Sequence, residues 1–466
     1  MKKLLPFLLA ILFACNSEEK KNPSVVLMDE FLSGQQQHFR FNGNVLVAEN
    51  GNIIFQKSYG YSNFDTQRLL NDTSVFELAS VSKQFTASAI LLLYDMGKLK
   101  LTDSLRQFFP QLPYSNITLQ HMLTHTSGLP DYEWAMNEKW DKSKIAFNKD
   151  VIDFLANEKP PVLFKPGEKW TYSNTAYALL ASVVEKVSGM SFADFLKQHI
   201  FQPLGMRHTR IYNTRRSLKD TIPNYAYGFL YNDSLKRYRM PDSLPDYKFV
   251  IYLDGIQGDG VVNSTTGDLL KWDRATKNHT LLKEETQNEM LKGHAIIDTV
   301  KNSMYGYGVF TEKTELGTIV SHSGGWPGYV TFLGRNIDKD LTYIVLSNNE
   351  SNSPLLANTL QQIMAGKEVV MPYEHKAISL DSTALKVFSG TYNVSNTKIK
   401  LEQDGNKLYR TAAYGNKVEL KPESPTKFFY TDGTDRQFEF ELGADKKVAK
   451  VWLIANGVKT EVKKEE

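Results

Sequence analysis

Near residue 366 this chain changes its pattern, and the change bounds what it can fold into. From Gly366 to Leu385 no hydrophobic period persists and Pro372 interrupts the stretch, so residues 367–384 read as a linker. Beyond it come short alternating runs: Lys398-Ile399-Lys400-Leu401, Lys407-Leu408-Tyr409, Phe438-Glu439-Phe440 and Val448 to Ile454. Alternation places successive side chains on opposite faces of a strand. The turn pairs Asp404-Gly405, Asp432-Gly433 and Asn456-Gly457 separate the runs. Residues 385–466 are therefore expected to form a small all-β domain, an antiparallel barrel or sandwich.

Residues 25–366 mix two periods. Val25 to Phe39 and Ala176 to Val187 carry helical spacing, the second stopping at Ser188-Gly189. Val45-Leu46-Val47-Ala48 and Ile53-Ile54-Phe55 flank Asn50-Gly51, a pair that favours a two-residue hairpin turn. Ile319 to His322, Tyr329 to Leu333 and Leu341 to Leu346 read as strands, and Pro354 to Met364 as a closing helix. The expectation is an α/β (α+β) domain followed by the β domain. With 55 basic against 52 acidic residues, no field of one sign points to nucleic acid.

The start of the chain carries an address. Met1-Lys2-Lys3 is a charged leader, and Leu4 to Ala14 is an apolar stretch that covers only about half a bilayer core. Residues 1–14 therefore read as a signal peptide. Leu12-Phe13-Ala14-Cys15 resembles the lipobox of bacterial lipoproteins, with a bulky Phe13 departing from that pattern. Cys15 is the sole cysteine, so lipidation explains it better than pairing. Residues 15–24 would be the lipidated cysteine and a polar tether, holding the protein to a membrane of a bacterial cell envelope.

Ser80-Val81-Ser82-Lys83 opens an amphipathic run that should end near Gly97. Three residues along a helix is nearly one turn, so the Ser80 hydroxyl and the Lys83 amine share a face. A serine hydroxyl is a weak nucleophile until a neighbour takes its proton, and an amine at a helix start can do so. The tetrapeptide alone is common, usually as a cap and a solvated lysine. Two further segments accompany it: Tyr172-Ser173-Asn174 after Pro166-Gly167-Glu168, and His322-Ser323-Gly324-Gly325 at the end of the Ile319 strand. His121 and His125 are spaced i,i+4, but no acidic residue lies between them and no third ligand is evident, so they read as a helix end and turn. Tyr132, Trp134, Tyr307 and Trp326 could line a cleft or simply pack.

Together these segments resemble the serine β-lactamase and penicillin-binding-protein-like family, in its class C β-lactamase, DD-peptidase and esterase branch. Leu123 to Leu129, Pro203-Leu204-Gly205-Met206 and Leu346-Ser347-Asn348 reinforce the resemblance, which covers roughly residues 25–365. It implies a β-lactamase/transpeptidase-like antiparallel sheet flanked by helices plus a helical lobe, with the site between the lobes. By the same resemblance Ser80 would be the acylated nucleophile, Lys83 its base or proton relay, and Tyr172 a partner returning the proton. The oxyanion hole would be the backbone N–H groups of Ser80 and Gly325. Asn174, His322, Ser323 and Gly324 would bind substrate, with Gly324 and Gly325 bare so that substrate can lie along the strand.

His322 stands where many members carry lysine, which weakens the case for anchoring a substrate carboxylate. The reading is an exported serine hydrolase acting on a small amide or ester, with a D-amino-acid peptide favoured, as in DD-carboxypeptidases or D-aminopeptidases. An esterase or a class C-like β-lactamase is the alternative. A peptidoglycan-fragment binding protein or sensor that kept the fold is the non-enzyme alternative. No metal or organic cofactor is implied, and the partner is a small-molecule or peptide substrate. Specificity is expected in the loops 129–165 and 210–256.

Overall fold

The computed structural model describes residues 22–212, 222–299, 302–394, 397–411 and 417–465. The signal peptide, Cys15 and most of the tether lie outside the described residues. No helix among the described residues is long and apolar enough to cross a membrane.

An eight-stranded antiparallel sheet forms the spine. Its strands are β1 (Gly43–Glu49), β2 (Asn52–Tyr59), β3 (Ala295–Asp298), β4 (Ser303–Tyr305), β5 (Phe310–Thr314), β6 (Gly317–Trp326), β7 (Tyr329–Asn336) and β8 (Leu341–Ser347), in spatial order β3-β4-β5-β6-β7-β8-β1-β2. The Asn50-Gly51 hairpin forms as expected, both residues having positive φ, 50° and 82°. Strand β8 is buried along its whole length because both faces of the sheet are covered.

One face packs against α1 (Pro23–Phe39) and the closing helix α6 (Ser353–Met364). There Met28, Phe31, Leu32, Leu356 and Leu360 meet Val45, Val47, Tyr343 and Val345. The other face packs against a helical lobe that includes α2 (Lys83–Asp95), α3 (Leu119–Leu123), α4 (Tyr132–Lys139) and α5 (Asn174–Ser188). Phe85 and Trp272 of this larger core sit at a ring separation of 4.5 Å. Each such buried side chain contributes about 1.5–3 kcal/mol of transfer free energy, so the sheet is held rigidly from both sides.

The C-terminal region resolves the choice between barrel and sandwich. Its strands β9 (Gly390–Val394), β10 (Thr397–Asp404), β11 (Lys407–Thr411), β12 (Lys417–Ser424), β13 (Lys427–Tyr430), β14 (Arg436–Leu442), β15 (Val448–Ala455) and β16 (Val458–Lys464) form a closed barrel. Closure runs through Tyr392 paired with Lys464, which removes both sheet edges. Tyr392, Leu408, Phe428 and Phe438 fill the interior. The barrel is seated on α1 and α6: Gln35 Nε2 donates to Asp435 Oδ2 at 2.5 Å, and Thr359 Oγ1 to the Asn456 carbonyl at 2.5 Å.

Two local differences from the sequence reading matter for the site. Ser80 lies in a 3₁₀ turn, Ala79–Ser82, and the α-helix begins only at Lys83. Strand β6 does not stop at His322 but runs through the glycine pair to Trp326. Its pairing with β5 ends at Ser321, while its pairing with β7 continues to Trp326. Among the described residues, the edge from His322 to Trp326 is thus left without a strand partner on one side.

Candidate active site

Ser80 is delivered by a short, heavily restrained segment. Phe76 and Glu77 pair with Ser264 and Asn263, and Leu78 N donates to the Val262 carbonyl at 2.8 Å. Ala79 then takes φ 47°, a left-handed conformation costly for a residue with a Cβ. The turn is fixed from both sides. Thr331 Oγ1 donates to the Leu78 carbonyl at 2.7 Å, and Val262 N donates to Ser82 Oγ at 3.1 Å. In a 3₁₀ turn residues i and i+3 eclipse, so Ser80 and Lys83 face each other more directly than on an α-helix.

Lys83 is fully buried, and its amine has three hydrogen-bond partners among the described residues. Its Nζ lies 3.1 Å from Ser80 Oγ, 2.8 Å from Asn174 Oδ1 and 2.7 Å from the Asp259 carbonyl. The Lys83 ammonium also lies 4.9 Å from the centre of the Tyr172 ring. The Tyr172 hydroxyl is shielded from solvent and has no hydrogen-bond partner among the described residues. Asn174 begins α5 behind Ser173, whose Oγ accepts from Ala176 N at 3.2 Å. Besides accepting from Lys83, Asn174 gives Nδ2 to Glu133 Oε1 at 2.8 Å, so part of its donor capacity is already engaged.

His322 is 1 % exposed and turned into the fold. Its Nδ1 donates to the Ser323 carbonyl at 2.6 Å, leaving Nε2 to accept from the Tyr305 hydroxyl at 3.0 Å. Burial, reinforced by the Lys83 charge, pushes its imidazole down to about 3. The ring is therefore neutral near pH 7 and offers no cation to a substrate. His125 is similar: burial first, then Lys83 and His322, hold it well below the ordinary histidine value. Its Nδ1 accepts from Ser173 N at 3.0 Å, and its ring lies 4.3 Å from that of Tyr172. His121 serves α3 instead, its Nδ1 accepting from Thr118 N at 3.3 Å.

Gly324 and Gly325 differ in role. A Cβ on Gly324 would lie 2.1 Å from the Leu78 carbonyl and 2.4 Å from Thr331 Oγ1, so the strand needs glycine there to receive the Ser80 turn. A Cβ on Gly325 meets nothing within 4 Å. The cavity over the nucleophile is lined by Ser80 and Gly325, by Asn174, Tyr132 and Trp326, and by the carboxylates Glu77, Glu133, Asp254 and Asp259. No barrel residue lines it among the described residues. Tyr132 donates to Asp259 Oδ2 at 2.7 Å, while Trp134 is exposed and Tyr307 stacks on His294 at 4.3 Å. Burial, with Asp259 and Asp131 nearby, pushes the Glu133 carboxyl up to about 7 against the opposing pull of Lys83 and Asn174.

Sequence reasoning missed Glu133, Asp259 and Tyr305. Asp259 acts on Lys83 through a backbone carbonyl, which no side-chain pattern announces. Glu133 belongs to a polar helix, and nothing in its neighbours marks it as facing inward.

The geometry is that of a serine beside a buried lysine, under a free strand edge. A family model described as Beta-lactamase matches residues 28–365. The chain belongs to the β-lactamase family. It is 40 % identical to penicillin-binding protein 4* of Bacillus subtilis (strain 168) over 434 residues, 91 % of this chain and 95 % of that protein. Among solved structures it resembles the octameric penicillin-binding protein homologue from Pyrococcus abyssi, with a TM-score of 0.67 and 24 % identity over 94 % of this chain and 100 % of that one. It also resembles the D-amino acid amidase from Ochrobactrum anthropi SV3 complexed with L-phenylalanine, with a TM-score of 0.59 and 22 % identity over 72 % of this chain and 98 % of that one. These family relations agree with a serine hydrolase.

Proposed function

We propose that this β-lactamase-family protein forms an acyl-enzyme on Ser80 with small amides and peptides of D-amino acids. The observation that carries the reading is the 3.1 Å contact between Lys83 Nζ and Ser80 Oγ. In its neutral form Lys83 takes the Ser80 proton as Oγ bonds to the substrate carbonyl carbon. The carbonyl electron pair moves to oxygen, which the N–H groups of Ser80 and Gly325 receive. Collapse breaks the carbon–nitrogen bond, and the departing amine takes the proton back from Lys83, directly or through the unpartnered Tyr172 hydroxyl. Water then cleaves the ester by the same proton route in reverse.

The free edge of β6 supports a peptide-like substrate, because an extended chain can add to it by backbone hydrogen bonds. The likeness to a D-amino acid amidase supports the substrate class. The test is turnover of a panel comprising D-alanine p-nitroanilide, a p-nitrophenyl ester and nitrocefin. The anilide should be cleaved by the native protein and not by Ser80→Ala. Preferred cleavage of the ester or nitrocefin would replace this reading with an esterase or a β-lactamase.

Export and lipid anchoring through Cys15 complete the proposal, on the leader and lipobox-like run. Cys15→Ala should move the protein from the membrane fraction to the soluble one. Unchanged membrane association would contradict the anchor.

A further inference from the structure

Acylation by an amide moves a proton twice, first off Ser80 and then onto the departing nitrogen. A side chain that serves the second step must stay in place, and Tyr172 has no hydrogen bond of its own to keep it there. Its hydroxyl is shielded from solvent and unpartnered among the described residues. Its backbone and its ring face must therefore hold it.

What holds it is the turn that follows α3. Leu163 N donates to the Gly128 carbonyl at 2.8 Å, Gly167 N to the Thr126 carbonyl at 2.8 Å, and Thr171 N to the His125 carbonyl at 2.9 Å. The segment that delivers Tyr172 thus hangs on residues 125–128. His125 closes the clamp with its side chain, where Nδ1 accepts from Ser173 N at 3.0 Å. One residue takes the N–H on each side of Tyr172. Its ring also covers the phenol, 4.3 Å away between centres and 37° off parallel, and is itself enclosed by Tyr305 at 4.5 Å and Tyr177 at 5.0 Å. The residue type is specified twice. A backbone N–H only donates, so Nδ1 must be bare, which places the proton of the neutral ring on Nε2. His125 also takes φ 57°, a left-handed conformation in which histidine and asparagine are enriched over most residues.

We infer that His125 is the positioning residue of the Tyr172 hydroxyl, so that it governs protonation of the leaving group and not activation of Ser80. The inference rests on the acyl-enzyme reading at Ser80 and goes beyond it, by assigning a role to a histidine that the proton route does not touch. Its consequence is selective. An amide nitrogen leaves only once protonated, whereas p-nitrophenolate leaves unaided. A loosened Tyr172 slows amides and spares activated esters.

The experiment compares kcat/KM for D-alanine amide and D-alanine p-nitrophenyl ester, which form the same acyl-enzyme, so their ratio reads acylation alone. In His125→Gln, whose amide oxygen stands near the place of Nε2 and not of Nδ1, the amide-to-ester ratio should fall at least about ten-fold, part of the roughly 10²–10⁴ that a positioned proton donor supplies. Tyr172→Phe should lower it further. The double variant should match Tyr172→Phe to within about two-fold, because His125 acts through Tyr172. His125→Asn offers an oxygen near the place of Nδ1 and tolerates the same φ, so it should keep most of the native ratio. An equal loss on both substrates in His125→Gln would overturn the inference, and so would a double variant that multiplies the two losses. Should His125→Gln fail to fold, His125→Asn decides: a ratio near native upholds the clamp, and a fall as large as in Tyr172→Phe contradicts it. A native protein that is labelled at Ser80 by a fluorophosphonate and cleaves the ester but not the amide ends this inference alone. An unlabelled Ser80 ends the acyl-enzyme reading as well.

Discussion

Lys83→Met is expected to fold and to lose acylation. The methionine keeps most of the apolar stem but offers nothing to take the Ser80 proton. General-base assistance is worth roughly 10²–10⁴ in rate, and here the same amine also returns the proton to the leaving group. The rate of Ser80 modification by a fluorophosphonate should fall about 10³-fold, equivalent to about 4 kcal/mol of barrier. Stability should move much less. The Asp259 carbonyl and Asn174 Oδ1 lose their donor, at about 1–3 kcal/mol each. Against that, a polar amine no longer has to be buried away from water, which offsets part of the loss. Thermal unfolding shows whether the variant is folded. A folded variant acylated within ten-fold of the native rate would remove Lys83 from the mechanism.

Gly324→Ala is expected to damage both stability and rate. Its Cβ would meet two backbone atoms, the Leu78 carbonyl at 2.1 Å and Ser80 N at 3.0 Å, and the Thr331 side-chain Oγ1 at 2.4 Å. Since the turn is already fixed to β7 through Thr331, strand and turn must part by about 1 Å, and a displacement of that size at a nucleophile can cost about 10²-fold. Overpacking adds about 1–3 kcal/mol of destabilisation. Gly325→Ala provides the contrast. Nothing lies within 4 Å of its Cβ, so its melting temperature should match the native one, and any loss of activity reports on substrate. A Gly324→Ala protein as stable and active as native would mean that the turn does not bear on the strand as described.

How far the sequence foretold this depends on which groups carry the information. The β1–β2 hairpin was readable because Asn50-Gly51 is one of few pairs at ease with two positive φ values. Strands β10, β11, β14 and β15 were readable from alternation. Strand β12 was not: Pro422 interrupts it, at a register shift that lets the barrel absorb the missing N–H. Strand β16 was missed because Val458-Lys459-Thr460-Glu461-Val462 offers one face only two valines. In the site, Ser80, Lys83, Tyr172 and Asn174 could be singled out because side-chain types recur in order. The Asp259 carbonyl could not, since every residue has one. Neither could the neutral state of His322, which depends on Tyr305 and on burial contributed by strands remote in sequence.

The central claim is that Ser80 is an activated nucleophile. The direct measurement is the intact mass of the purified protein and of Ser80→Ala after incubation with a fluorophosphonate. One adduct on the native protein and none on the variant is the predicted result. A folded native protein that gains no adduct, or a Ser80→Ala variant that gains the same one, would contradict it.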